Sequence, residues 1–281
     1  MKSIKFLAIL FVCSAIISCG QKQTASSDTQ ENQSAVEEQQ NTEEQAVAEA
    51  QPTISAQTQA RIDKWKNEIF KEFPSKRVSP SDFEKNDFSH LWIQEFDFGY
   101  IGTDFQRMYM TFNDVKKISA TEYKVSGFSS VKNNYCEFSG IFKILEYHQL
   151  KSFQETMFDE SEEIRQSIKK QGYIFAEFNL IENKDQRSSG QFNGYLFTKF
   201  WIDNTNSIHL LCIEVYDVGN LFLGEWTSHK SGASKPVAWG DYEIPLARGV
   251  LYQGDGDICI SAKFHKNGWQ DFSVCDKDYF Y

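Results

Sequence analysis

The sequence predicts a mainly β protein, an antiparallel meander of about ten strands forming a barrel or a sandwich, with one N-terminal amphipathic helix and a helical insertion. Three observations support this. Of the 24 phenylalanines, only Phe6 and Phe11 precede residue 54; turn residues interrupt the chain at short intervals; and apolar and polar residues alternate in several segments. These features are typical of β-strands joined by short connections.

The N-terminus indicates export and lipidation. Lys2 and Lys5 accompany an apolar run that is too short to cross a bilayer and ends in the sequence IISC at Cys19. This segment resembles the bacterial lipobox, which implies that residues 1–18 are a signal peptide and that Cys19 becomes the acylated first residue. An ordinary cleaved signal is the alternative. Gly20 follows instead of the aspartate that retains some lipoproteins in the inner membrane, and no early acidic tract of the kind that routes some lipoproteins to the cell surface precedes Asp28. We therefore expect an outer-membrane protein facing the periplasm.

Residues 19–53 are expected to form a disordered tether, since they are rich in Gln, Glu, Ala, Ser and Thr and contain no aromatic residue. Residues 54–281 then form a single globular domain. The net charge is −10, and no basic patch indicates nucleic acid as a partner. An acidic surface is repelled by anionic lipid head groups. The bilayer is therefore expected to be a partner only through the acyl chains on Cys19.

The first predicted element is a helix from Ser55 to Phe73. Ile62, Trp65 and Ile69 recur at helical spacing, and Pro74 ends the pattern.

A hairpin follows further along the chain. A two-residue turn at Asn133-Asn134 pairs Val125 with Phe142 and Tyr123 with Ile144, which places both apolar sets on one face.

Between Gln149 and Gln171 the apolar spacing becomes helical, which predicts an insertion with one stripe made of Leu150, Phe153, Met157, Ile164 and Ile168. Strands are expected to resume near Tyr173–Ile181, Gln191–Trp201, Ile208–Tyr216 and Leu221–Ser228.

Three strands share the pattern Phe-x-Gly-x-apolar, with the three key residues on one face. The glycines allow sharp bending of the sheet, and they also leave room beside them. Two alternatives follow: strand packing without a ligand, or a ligand held inside the barrel. The candidate ligand-lining residues are Phe138, Gly140, Phe142, Phe192, Gly194, Leu196, Phe222, Gly224 and Trp226.

Four cysteines follow Cys19, and an even number in an exported chain favours disulfides. A turn about Asn267 places Cys259 opposite Cys275 on a polar face, which favours that bridge. Cys136 is then a buried thiol or a partner of Cys212, and other pairings remain open.

Trp239 and Tyr242 lie between two prolines and are candidates for binding a sugar or a partner surface; the alternative is that they are buried and close the sheet. The sequence contains no metal-ligand cluster, cofactor motif or catalytic motif. We therefore expect no metal, no cofactor and no enzymatic activity.

The segments NNYCEFSGIF, GNLFLGEWTSHKSG with PVAWGDY, and KNGW together resemble a family of uncharacterised bacterial cell-envelope lipoproteins with a calycin-like β fold. The resemblance covers Phe98 to Trp269 and implies fold and location but no activity. Gly224-Glu225-Trp226 also resembles the Gly-x-Trp of lipocalins, although it lies far along the chain. The expected function is non-catalytic binding of a small apolar or amphipathic ligand in the barrel; the alternative is a structural or protein-interaction module of the envelope.

Overall fold

The structure is a computed structural model that describes residues 54–154, 162–212, 219–241, 244–247, 249–254 and 257–275. Several predictions fall outside these residues: the signal peptide (1–18), the lipidation site Cys19, the tether (19–53), Met157 and Tyr242.

Two α-helices and fifteen strands occur in the described residues. The helices are α1 (Ala56–Glu72) and α2 (Glu162–Ser167), and short 3₁₀ turns span Pro80–Phe83 and Ser89–Leu91. The strands are β1 (Ser75–Val78), β2 (Glu95–Phe96), β3 (Phe98–Ile101), β4 (Gln106–Arg107), β5 (Tyr109–Lys117), β6 (Glu122–Val131), β7 (Asn134–Leu150), β8 (Ile168–Glu182), β9 (Gly190–Asp203), β10 (Ile208–Leu210), β11 (Asn220–Ser228), β12 (Ser234–Gly240), β13 (Leu251–Gly254), β14 (Asp257–Ile260) and β15 (Ser273–Val274).

One large sheet dominates the fold and confirms the predicted mainly β class. Ten strands follow one another in the order β2-β5-β6-β7-β8-β9-β11-β12-β3-β4, while β1 pairs with β7 and β10 pairs with β9. Every pairing in this sheet that the structure describes is antiparallel. Most strands that neighbour each other in the chain also pair, as expected for a meander.

The sheet curls until its two ends meet in one segment of the chain. Only Asp97 separates β2 from β3. Strand β2 pairs with β5 at one end of the sheet, whereas β3 pairs with β12 near the other. The segment from Glu95 to Ile101 therefore joins the ends of the curled sheet and gives it an inner and an outer face.

Helix α1 confirms the first predicted element. The Ser55 hydroxyl caps its first turn by accepting the backbone N–H of Thr58 at 3.3 Å. Ile62, Trp65 and Ile69 are buried, as their spacing predicts. The helix lies on the outer face of the sheet, where these residues join one apolar cluster.

The predicted hairpin forms between β6 and β7, but its register differs by two residues. Val125 pairs with Gly140 and Tyr123 with Phe142. The turn uses Lys132-Asn133, with Lys132 at a positive φ of 55°. Because a shift of two residues preserves the alternation of faces, the apolar sets still share one face as predicted.

The prediction of a helical insertion between Gln149 and Gln171 is largely wrong. Leu150 ends β7 and Ile168 begins β8, so two members of the predicted helical stripe belong to strands. Helix α2 has six residues and buries none of them, and Phe153 is 50 % exposed. The long pairing of β7 with β8, which extends to Gln149 and Gly172, outweighs the local helical spacing. Strand β10 ends at Leu210, and residues 213–216 of the predicted strand lie outside the described residues.

The disulfide Cys259–Cys275 is confirmed. The predicted hairpin around it is not: β14 and β15 pair in parallel, with Ile260 opposite Val274, because the intervening residues turn back over the β3–β4 region instead of forming a tight reversal. Both half-cystines are buried, and not on a polar face. Cys136 keeps a buried thiol, so the alternative Cys136–Cys212 bridge is not formed.

The described helices include none that is long and apolar enough to span a bilayer.

Candidate functional site

The inner face of the sheet holds the residues predicted to line a ligand. Phe138, Phe142, Phe192, Leu196, Phe222 and Trp226 all belong to one buried cluster, which we call the inner cluster. Ring contacts across it join strands that are not neighbours in the sheet, such as Phe96 of β2 with Phe222 of β11 at 5.3 Å. The sequence therefore predicts the correct face for these residues.

Aromatic rings occupy the centre of this inner cluster. Phe222 lies 4.7 Å from Trp239, 5.7 Å from Phe112 and 6.0 Å from both Phe142 and Phe178, measured between ring centroids. All five side chains are at most 2 % exposed. The contacts are those of a packed core.

The three glycines lie where strands approach closely. Gly194 and Gly224 are paired across β9 and β11. A Cβ on Gly194 would collide with the backbone oxygen of Leu223, and one on Gly224 with that of Asn193. A Cβ on Gly140 would meet the neighbouring backbone in the same way. The space beside these glycines is therefore filled by the adjacent strand, as the packing alternative predicts.

The segment from Pro80 to Trp92, which includes both 3₁₀ turns, contributes to the inner cluster. It inserts four buried side chains: Phe83, Phe88, Leu91 and Trp92. The Trp92 ring contacts Tyr123 at 4.9 Å, and its Nε1–H donates to Thr198 Oγ1 at 2.8 Å. This segment acts as a plug within the curled sheet.

A buried carboxylate also adjoins the inner cluster. Glu182, 3 % exposed, accepts hydrogen bonds from the Gly190 N–H at 2.6 Å, from Trp226 Nε1 at 2.9 Å and from the Ser129 hydroxyl. Burial raises the pKa of Glu182 despite these hydrogen bonds. Trp226 is thus held by a polar contact that its sequence pattern did not indicate.

Trp239 is 0 % exposed and belongs to the inner cluster, which agrees with the alternative that it is buried and closes the sheet and rules it out as a surface-binding residue. It lies on β12, paired with Phe222 of β11, and alternation along β12 directs it inward. Its companion Tyr242 lies outside the described residues.

A cleft of about 420 Å³ opens on the outer face, between the start of α1 and strands β3, β11 and β12. We call it the outer cleft. Its volume lies within the range of small-molecule sites. The lining combines apolar and polar groups and consists of Ser55, Gln57, Thr58, Arg61, Tyr100, Gly102, Thr103, Phe105, Glu225, Ser234 and Pro236.

Glu225 supplies a carboxylate to this cleft. It is 8 % exposed, and its Oε2 accepts the Ser55 hydroxyl at 2.5 Å and the Thr58 hydroxyl at 2.8 Å. A negative charge at the start of a helix also interacts favourably with the helix dipole. The carboxylate is therefore fixed in position by the first turn of α1.

Arg61 supplies the opposite charge one helical turn further along. Its Nη2 donates to the Tyr100 hydroxyl at 2.7 Å. Within the described part of the chain, neither Arg61 nor Glu225 forms an ion pair with a protein group. The outer cleft thus contains one cation and one anion whose contacts shown here are to neutral hydroxyl groups.

The C-terminal segment fixes the opposite wall of the cleft. Trp269 Nε1 donates to the Phe105 carbonyl at 2.8 Å, and Asn267 Nδ2 donates to the Asp104 carbonyl at 2.6 Å. Phe105, at a positive φ of 51°, packs on Tyr100 at 4.6 Å. The KNGW sequence therefore positions Phe105, whose ring packs on Tyr100 in the lining of the cleft.

A second polar cluster lies beneath the last turns of α1. His148 bridges Ser75 Oγ, 3.0 Å from Nδ1, and Glu146 Oε2, 2.9 Å from Nε2. Glu146 Oε1 also accepts a hydrogen bond from Lys66 Nζ at 2.5 Å. Burial lowers the pKa of His148. The imidazole ring is stacked on Tyr173 at 4.6 Å. These contacts join α1 to β1, β7 and β8.

No group of three or more potential metal ligands is placed to hold an ion in the residues that the structure describes. Comparison with family models, with curated proteins and with solved structures finds no match to this chain. The resemblance to envelope lipoproteins stays a prediction.

Sequence patterns did not indicate Arg61, Tyr100 or Glu225 as site residues. Glu225 is the middle residue of the Gly-x-Trp tripeptide. Its neighbours Gly224 and Trp226 point to the inner face of the sheet, so Glu225 points to the outer face. Arg61 has the appearance of an ordinary polar helix residue. Only the contact between α1 and the outer face of the sheet brings these three side chains together.

Proposed function

We propose that this chain is an exported envelope lipoprotein whose β domain binds a small amphipathic ligand, without catalysis, in the outer cleft. The observation that carries the proposal is the cleft itself: about 420 Å³, with the rings of Tyr100 and Phe105 beside fixed polar groups. Ligand pockets of this kind combine apolar walls with a few positioned polar atoms.

The proposed location of the ligand differs from the expectation drawn from the sequence. The inner face is filled by aromatic side chains and by the plug around Trp92, whereas the outer cleft has volume. Binding on the outer face requires no rearrangement of the core.

Two features support export and anchoring. The disulfide Cys259–Cys275 is typical of proteins that fold in an oxidising compartment. The lipobox-like sequence at Cys19 supplies the acylation site, and Gly20 favours the outer membrane facing the periplasm. The bilayer is then the partner that holds the protein, through acyl chains and not through surface charge.

Anchoring is tested by mass spectrometry of the mature N-terminal peptide. We expect an acylated peptide beginning at Cys19 and its loss in Cys19→Ser. The matched control is Cys13→Ser, which should leave acylation unchanged. An unmodified N-terminus at any other residue would contradict the proposal.

Ligand binding is tested with the neutral apolar dye N-phenyl-1-naphthylamine, whose fluorescence rises in an apolar site. We expect uptake by the native protein and its loss in Thr103→Trp, which fills the cleft. Asp104→Trp, at the neighbouring exposed position outside the lining, is the matched control and should retain uptake. Equal uptake by both variants would place the dye elsewhere and contradict the proposal.

A further inference from the structure

The outer cleft has an unusual electrostatic arrangement. Glu225 is almost fully buried, and its Oε2 accepts hydrogen bonds from the neutral hydroxyls of Ser55 and Thr58. A buried carboxylate is ordinarily paired with a cation, because the loss of hydration is costly. In the described residues no lysine or arginine pairs with Glu225.

Arg61 shows the complementary feature. Its guanidinium can donate five hydrogen bonds in a planar fork that suits a carboxylate. One of these goes to the Tyr100 hydroxyl, and no carboxylate among the described residues forms an ion pair with it. The remaining donors are therefore available to a carboxylate in the cleft.

The spacing of the two charges is set by α1. Thr58 holds Glu225, and Arg61 follows Thr58 by three residues. Residues three apart lie on the same helix face, with Cβ atoms about 5–6 Å from each other. An anion and a cation thus flank one small cleft without neutralising each other.

From this geometry we infer that the cleft binds a zwitterion of the amino-acid type, a free α-amino acid or a short peptide. Its ammonium binds Glu225, its carboxylate binds Arg61, and its apolar side chain packs on Phe105 and Pro236. The inference rests on the proposed function and names its ligand class. A zwitterion satisfies both charges at once, whereas an amine or an acid alone leaves one of them unpaired.

Three matched probes test the inference: L-leucine, 3-methylbutan-1-amine, which lacks the carboxylate, and 4-methylpentanoate, which lacks the ammonium. The dipeptide Leu-Leu separates free amino acids from peptides. Affinity is measured by calorimetry, and the site is identified from amide chemical-shift changes in the full mature domain. We expect leucine or Leu-Leu to bind at least about tenfold more tightly than either truncated probe.

Variants assign the two charges. Glu225→Gln is expected to weaken the zwitterion and the amine about tenfold or more and to leave the acid unchanged. Arg61→Gln is expected to weaken the zwitterion and the acid and to leave the amine unchanged. Because Glu225→Gln also alters the cap of α1, Arg61→Gln provides an independent test that keeps the cap. Glu84→Gln and Arg77→Gln, exposed and outside the lining, are the matched controls.

The outcomes separate this inference from the proposed function. Equal binding of the amine or the acid, or the absence of zwitterion binding, overturns the inference. If the apolar dye still binds and is excluded by Thr103→Trp, the proposed function stands without the zwitterion. If neither dye nor zwitterion binds in the cleft, both fail.

Discussion

Phe222 and Trp239 lie face to face inside the curled sheet, with ring centroids 4.7 Å apart and planes inclined by 10°. They are paired across β11 and β12, and both are 0 % exposed. The indole Nε1–H of Trp239 is buried without a hydrogen-bond partner. The pair fills the region where the sequence predicted a ligand. Substitution of Trp239 therefore tests whether the inner face is a packed core.

Truncation of Trp239 should destabilise the protein strongly. We expect Trp239→Ala to lower the free energy of unfolding by about 3–5 kcal/mol, because a large buried ring leaves a cavity. Trp239→Phe should cost clearly less, since no hydrogen bond is lost. Urea unfolding followed by circular dichroism measures both. Tyr135→Ala, at a 48 % exposed ring, is the control and should change stability by less than about 1 kcal/mol. A cost below about 1 kcal/mol for Trp239→Ala would show that the site is not a packed core.

Substitutions of Glu182 should separate charge from hydrogen bonding. Glu182→Gln is expected to change stability by less than about 1 kcal/mol. The side-chain oxygen of glutamine can still accept from the Gly190 N–H and Trp226 Nε1–H, and its NH2 group can donate to the Ser129 hydroxyl, while the buried charge is removed. Glu182→Leu leaves these donors unsatisfied and should cost about 3 kcal/mol or more. Chemical denaturation at pH 7 compares the two. Similar costs for both substitutions would mean that the hydrogen bonds contribute little.

The disulfide should stabilise the C-terminal segment. Cys259 and Cys275 are separated by 16 residues, and a loop of this size corresponds to about 3 kcal/mol in the chain-entropy model. We expect the double substitution Cys259→Ala and Cys275→Ala to lower stability by about that amount and to reduce amide protection at Trp269. Reductant should destabilise the native protein but not the double variant. Cys136→Ser, which leaves the disulfide intact, controls for effects at the buried thiol of Cys136.

Stability should depend on pH through Asp241. Burial raises the pKa of Asp241 to about 6 from an ordinary 3.8, although the Asn220 N–H and Gln94 Nε2 both donate to it. The native state then binds more protons than the unfolded state between these values. The contribution of protonated Asp241 to the free energy of unfolding is fully present below about pH 4. It is lost as pH rises through about 6, and the loss is at most about 3 kcal/mol.

The measurement is the stability of the native protein minus that of Asp241→Asn at several pH values. This difference should fall between pH 4 and 7, and carboxyl NMR should show Asp241 titrating near pH 6. A flat difference would contradict the prediction.

Local alternation predicted which face each residue occupies, and the structure bears this out at particular positions. Tyr123, Val125 and Phe142 share one face although their register is shifted by two residues. The shift arises because Lys132, and not an asparagine, takes the positive φ of the turn. Similarly, Leu150 and Ile168 followed helical spacing but were recruited into β7 and β8, because long strand pairing outweighs the local preference of a short segment.

Sequence patterns alone were enough to predict the mainly β class, the helix from Ser55 and the inward positions of residues such as Phe222, and they favoured the pairing of Cys259 with Cys275 while leaving other pairings open. These depend on short-range periodicity or on a pairing close in sequence. The filling of the inner face, the burial of Trp239 and the common cleft of Glu225 and Arg61 became evident from the three-dimensional packing alone. Each of these requires α1 or distant strands to meet, and the packing of such remote elements has no local pattern.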